Sequence, residues 1–179
     1  KDAHHANTWS PVHLVQDLAT YDETALDATK RTQLHRARKS MTIVQITDPD
    51  LLREQGWRAY EDKMTRVGLS HAMVGRDTYN KNADWFATDD RRLILGTIRG
   101  DDLVGYIETF AVDGVAYLND IWVSNEALPL NASALLYYAS SQVYRAAGVG
   151  KLCAGVPEVG RTGISDFKIR MGIPVVRIP

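Results

Sequence analysis

Two carboxylates in this chain sit where a carboxylate is costly. Glu108 lies inside LVGYIETFAV (103–112) and Asp120 inside VAYLNDIWV (115–123), both apolar stretches with strand character. An ionised group there must be paired or put to use. Both are therefore candidate bases, able to take a proton from an attacking nucleophile. The structural alternative is a solvent-facing strand position or a salt bridge to Arg92 or Arg99. Period-2 alternation places Asp120 on one face with Leu118 and Trp122, and Glu108 with Tyr106 and Phe110. A hairpin at Asp113-Gly114 would set Glu108 opposite Asn119 or Asp120, so that one cleft holds both acids.

The second chemical feature is a handover. From Val115 the pattern is that of a strand. After the polar break Ser124-Asn125-Glu126-Ala127 it becomes helical, with Leu135, Tyr138, Ala139, Gln142, Val143 and Ala146 on one stripe and Gly148 as the stop. The first turn of such a helix carries unpaired backbone N–H groups and the positive end of the dipole, which suits an anion or a carbonyl. Leu130, Asn131, Ala132 and Ser133 are the candidate donor-binding group. Pro129 and Asn131 are both start-type residues, so the cap is one or the other; plain capping would also explain Asn131 and Ser133. Tyr117, Asn119 and Trp122 on the preceding strand are candidates for touching substrate. Packing alone would account for Tyr117, as for Tyr137, Tyr138 and Tyr144.

The elements that must position these residues follow in order. Residues 1–24 read as an N-terminal extension with a short helix at Pro11–Ala19, and residues 25–179 as a single domain. A helix spans Glu23–Met41 with a basic face, then a strand Thr42–Ile46. Asp48 and Pro49 open a helix at 50–67, and another covers Asp77–Thr88. Strands 92–99, 103–112 and 115–123 form an antiparallel meander. Strand, helix and strand at 115–156 imply a right-handed crossover and a parallel pair. A short helix at 163–171 and a strand at 173–178 close the chain, with Pro174 placing that strand at an edge or itself falling at the strand's first residues. The fold class is α/β (α+β): a mixed, mostly antiparallel central sheet flanked by helices.

Bulk properties narrow the chemistry. In 179 residues, 45% are apolar, net charge is −1 and the pI is near 6.6, so no global polyanion signal exists. The charge is uneven: Lys30, Arg31, Arg36, Arg38 and Lys39 crowd one helix with His35. A solvated face and contact with phosphates both fit that cluster. The single Cys153 rules out an internal disulfide and reads as a structural thiol. No metal site is expected, since His4 and His5 make a poor chelate at a terminus. No run of about 18 apolar residues predicts a membrane span. The start KDAHHANTWS lacks the apolar core of a signal peptide, and it lacks an initiating Met, as a piece of a longer protein would. The cytoplasm is the expected location, and an exposed edge strand would allow a homodimer. Walker, zinc-protease, Ser-His-Asp and dinucleotide fingerprints are missing.

The element order and the phrase WVSNEALPLNASALL resemble the GNAT acyltransferase superfamily. There a strand leads through an Arg/Gln-x-x-Gly-x-Gly/Ala loop into a helix; the corresponding positions here are Leu128, Asn131 and Ser133. A narrower resemblance rests on KLCAGVP and GRTGISDFKIRMG. These are similar to the Fem-type branch, peptidoglycan-bridge aminoacyltransferases and relatives, which carries a Phe-Lys-x-x-x-Gly signature, here Phe167-Lys168 through Gly172. TKRTQLHRARKS also looks like the segment opening the second half of those two-half proteins, and this chain has room for one half. The resemblance implies a carboxylate on the central strands, Asp120 or Glu108, as base for an attacking amine. It implies Lys168 as the cation that stabilises an oxyanion or a leaving group; the structural alternative is a surface lysine that snorkels or pairs with Asp166 or Glu158. Arg161 and Arg170 are residues that could meet a phosphate or carboxylate, and exposed arginines would equally account for them.

The expected function is therefore an N-acyltransferase. An acyl-CoA-type donor would pass its acyl group to an amine of a small molecule or cell-wall-like acceptor. A Fem-like enzyme drawing on aminoacyl-tRNA through the Lys30–Lys39 helix is the alternative. A non-catalytic ligand-binding domain of the same fold is the competing class.

Overall fold

The computed structural model describes residues 9–157 and 162–178. Arg161 lies outside the described residues. Seven strands form one sheet in the order β2-β3-β4-β5-β6-β1-β7. In chain order these are β1 Ser10–Val15, β2 Thr42–Gln45, β3 Arg92–Arg99, β4 Asp102–Val112, β5 Val115–Val123, β6 Lys151–Cys153 and β7 Val175–Ile178. The helices are α1 Ala28–Ser40, α2 Pro49–Leu51, α3 Trp57–Arg66, α4 Arg76–Thr88, α5 Ala132–Ala146 and α6 Thr162–Arg170, with a wider π-helical turn Leu52–Gly56 between α2 and α3.

β3, β4 and β5 make the expected meander. Its second turn needs two left-handed residues, and Asp113 (φ 50°) and Gly114 (φ 74°) supply them. β5 and β6 are parallel, bridged by α5, so the sheet is mixed as predicted. β7 pairs with β1 alone and lies at an edge. Pro174 stands just ahead of it, where its missing N–H costs no ladder bond.

Two layers of helix cover the sheet. The larger core lies under α1 and α5, with Leu34, Leu135, Leu136, Ile107, Leu118 and Leu152 among its buried members. Tyr144 on α5 ties down to β4 through Thr109, hydroxyl to hydroxyl at 2.9 Å. The opposite face carries α3 and α4 over Ile94, Leu103 and Tyr106. An aromatic group of Trp57, Tyr60, Tyr79 and Trp122 extends that second layer.

The predicted helix at Pro11–Ala19 is a strand instead. Val12, Leu14 and Val15 are buried as β1 inserts between β6 and β7. Helical spacing over so short an apolar run cannot be told from a buried strand. Sheet pairing decided the outcome, and Asp17 only then starts a single 3-10 turn.

The segment from Lys168 to Ile173 is fixed by a left-handed glycine. Gly172 has φ +76°, and a Cβ there would meet the Ala25 carbonyl oxygen at 2.6 Å. Gly163, in the first turn of α6, has open space around it. Gly172→Ala is expected to destabilise the fold by about 2 kcal/mol or more, since strain and clash add. Gly163→Ala should be neutral or stabilising by about 0.5–1 kcal/mol. Urea unfolding of the two variants checks the contrast.

Candidate functional site

The chemistry gathers where β5 and β6 part. Their parallel ladder runs Val115↔Lys151, Ala116↔Leu152, Tyr117↔Cys153 and goes no further. β5 continues to Val123 on β4 alone, so residues 118–123 have no strand partner on the second edge among the described residues. Backbone N–H and C=O groups left on such an edge are unsatisfied donors and acceptors.

A register shift lies in the middle of that free stretch. Glu108 faces Asp120, but Thr109 faces Leu118, so Asn119 is an extra residue in β5. This β-bulge turns the strand over. Leu118 lies in the α1/α5 core, whereas Trp122 packs on the other face against Tyr60 and Tyr106. The expectation that Asp120 shares a face with Leu118 is therefore corrected, because an inserted residue breaks a period of two. Asp120 keeps company with Trp122 and Glu108, as the opposed register requires. Asn119 is exposed on the bulge, and Tyr117 stacks on Phe110 with ring centroids 5.2 Å apart.

The two carboxylates have different partners. Glu108 is 3% exposed and forms an ion pair with Arg92, which also approaches Asp89 and lies over the Trp85 ring. The ion pair ties β4 to β3. Asp120 is half-exposed and accepts a hydrogen bond from Lys63 Nζ at 2.9 Å; the same ammonium sits 3.8 Å over the Trp122 ring centroid. The neighbouring hydroxyls are neutral: burial pushes Tyr79 up to about 12 and Tyr106 well above its ordinary value.

The helix start differs from the simple expectation. α5 begins at Ala132, and Asn131 before it is left-handed (φ 66°) with no side-chain cap bond. Its Nδ2 donates back to the Pro129 carbonyl instead. Residues 124–131 curl through successive turns. The amides of Leu130, Asn131 and Ala132 donate to the carbonyls of Ala127, Leu128 and Ala127. The grip assigned to those three is thus already spent inside the loop. The amides of Ser133 and Ala134 are the ones with no acceptor among the described residues.

Lys168 stands on the other bank. It is 7% exposed, and its Nζ lies 4.0 Å from where a Cβ on Gly155 would be. Gly155 is two residues past the last β6 position that pairs with β5. Phe167 beside it packs edge-on against Tyr137 of α5, with Lys30 over its ring at 4.6 Å. Across the mouth, an open cleft of about 370 Å³ is lined by Arg66, Val67, Gly163 and Ile164. Arg66 there donates to the Val123 carbonyl and to Asn125.

His13 was missed from sequence because it lies far from Lys168 along the chain. It is 0% exposed; Nδ1 is 3.1 Å from the Ile173 carbonyl and Nε2 is 3.0 Å from Ser165 Oγ. A carbonyl only accepts, so Nδ1 carries the proton and Ser165 donates to Nε2. The available signal was a His inside the apolar run SPVHLV.

The basic helix is largely occupied with its own fold. Arg38 and His35 pair with Glu23, and Arg31 donates to the Leu26 carbonyl at 2.8 Å. Arg36 and Lys39 are exposed and have no ion-pair partner among the described residues. Arg170 pairs with Asp27 at 2.6 Å. Among the described residues no cluster could hold a metal ion, and no helix is long and apolar enough to cross a membrane.

No protein-family model matches the chain, and no curated protein matches it. Solved structures do. FemX superposes with a TM-score of 0.73 at 11% identity, covering 92% of this chain and 59% of FemX. The C-terminal domain of a putative lysylphosphatidylglycerol synthetase from Agrobacterium fabrum gives 0.66 at 16% identity, covering 94% of this chain and 58% of that one. Aminoglycoside N-acetyltransferase AAC(6')-Iy in complex with CoA gives 0.58 at 15% identity, covering 78% and 91%. The chain thus spans somewhat under two thirds of the first two. These likenesses establish the fold alone, a GNAT-like mixed, mostly antiparallel sheet flanked by helices.

Burial lowers the pKa of His13 below its ordinary 6.5, reinforced by the nearby Lys168 charge. Below pH 6.5 the unfolded chain takes up a proton that the folded one refuses. Stability from this site is therefore complete above about 6.5 and falls as the pH drops below it. His13→Asn, whose amide can still donate toward Ile173, should flatten that fall. Urea midpoints measured from pH 7.5 to 5 check this.

Proposed function

We propose that this chain is an N-acyltransferase that moves an acyl group from an activated donor to an amine. The observation that carries the reading is the parting of β5 from β6 beside the Asn119 bulge, with Lys168 on the facing bank. The donor's carbonyl lies along the unpaired β5 edge, whose N–H groups polarise it. Asp120, on the α3 face of the same bulge, receives the amine's proton. The Lys168 ammonium stabilises negative charge on the tetrahedral oxygen or on the leaving group. Buried in low dielectric, that charge counts for more than it would in water. His13 and Ser165 hold α6 against β1 and so set where the ammonium stands.

The acyl-CoA donor is supported by the fold shared with AAC(6')-Iy, which was solved in complex with CoA. In this chain the Ser133 and Ala134 amides would meet the pyrophosphate. One observation favours a second donor, an aminoacyl ester carried by tRNA. The loop spends its leading amides on itself and has no glycine for close approach, while in the Phe167-Lys168 signature the lysine is buried and the phenylalanine partly so. FemX also covers more of this chain than the aminoglycoside enzymes do. Arg36 and Lys39 are then the α1 residues left to meet phosphates. Amine acceptors enter from the α3 side, past Trp122 and Asn119.

Isothermal titration with acetyl-CoA and with aminoacyl-tRNA separates the donors, the second binding falling steeply with salt. With the donor that binds, Lys168→Ala is expected to lower the rate of transfer about a hundredfold or more, with donor affinity changed severalfold at most. Absence of binding by both donors would leave the non-catalytic reading.

A further inference from the structure

Lys63 occupies the position that an acceptor amine would take. Its Nζ donates to the Asp120 carboxylate at 2.9 Å and covers the Trp122 ring at 3.8 Å. A carboxylate below and an aromatic face beside are the two groups that hold an alkylammonium. Asp120 belongs to the β5 bulge, so this amine is one side chain away from the unpaired edge on which a donor carbonyl would lie. Lys63 is also partly shielded, its side chain 22% exposed. Lys39, Lys81 and Lys151 are all exposed and lie elsewhere on the surface.

From this geometry we propose that Lys63 is a self-acylation site: the chain transfers an acyl group from its own donor to the Lys63 amine. The inference rests on the acyltransferase reading above. The ammonium gives one proton to Asp120, and the neutral amine attacks the donor carbonyl carbon. The C–N bond forms, and the bond from that carbon to the donor's sulfur or oxygen breaks. The leaving thiolate or alkoxide takes the proton that the nitrogen sheds, and Asp120 returns its proton to solvent. The product amide is uncharged. It releases Asp120 from its ion pair and uncovers the Trp122 face, so the first turnover opens the site to an external amine.

The test incubates the intact chain with acetyl-CoA and, separately, with alanyl-tRNA, and maps modified lysines by peptide mass spectrometry. Donor binding is followed in parallel by titration. One acyl group at Lys63, ahead of the more exposed Lys39, Lys81 and Lys151, is expected with the donor that binds. Lys63→Arg, which keeps the ion pair, should abolish it. Asp120→Asn should slow it about a hundredfold, the scale of a lost general base. Acylation spread over the exposed lysines, or unaffected by Asp120→Asn, marks background chemistry and overturns the proposal. Donor binding with Lys63 unmodified overturns self-acylation and leaves the transferase reading standing; binding of neither donor overturns both.

Discussion

One extra residue in a strand governs the functional half of this molecule. Asn119 cannot be accommodated in the β4–β5 ladder without turning the strand over. Ala116 and Leu118 before it and Ile121 and Val123 after it face the α1/α5 core, so the phase of alternation changes and Trp122 falls on the α3 face. The same local twist accompanies the loss of β6 as a neighbour after Tyr117. The sheet is left with an opening whose wall is bare backbone. The proposed transfer depends on that edge staying open, because a closed ladder would leave its N–H groups paired and unable to meet a donor carbonyl.

The bulge also sorts charge. The acid is presented on the α3 face, and the proposed transfer sets a reacting carbonyl between it and the ammonium of Lys168. Two carboxylates that look alike in sequence are divided by the same geometry. Glu108 remains deep enough that its ion pair with Arg92 is a condition of burial, since an unpaired carboxylate would be strongly unfavourable there. Asp120, at the bulge, is half-exposed and its partner Lys63 can be exchanged. The cation side is built with equal economy: a neutral His13, wedged between Ile173 and Ser165, links β1 to α6 without adding a competing charge.

Much of the architecture was legible in the residues. The meander turns, the Asp48-Pro49 start, the parallel crossover through α5 and the edge placement of the last strand follow from local chemistry that tertiary contacts did not override. The tight Asp-Gly turn brought Glu108 opposite Asn119 or Asp120, and the bulge settles it on Asp120. Three features were hidden for physical reasons. A bulge is an exception to periodicity and leaves no mark in a pattern that assumes it, so the face of Asp120 came out reversed. β1 is a strand by virtue of partners far away in sequence, and a six-residue apolar run does not state its own period. His13 and Lys168 are brought together only by the sheet order, which sets the start of the chain beside its end. The α5 start lay between these cases: the helix was evident, but the left-handed Asn131 and the amides consumed by the loop depend on how the turns close.

The most direct test is the response of assigned backbone amides to a bound donor that does not react. A ketone analogue of acetyl-CoA and a hydrolysis-resistant aminoacyl-tRNA, titrated in turn into isotope-labelled chain, serve this purpose. The account predicts shifts concentrated at residues 118–123, at Ser133 and Ala134, and around Gly155, with α4 unmoved. Saturation by either analogue with the amides of 118–123 unchanged would contradict it.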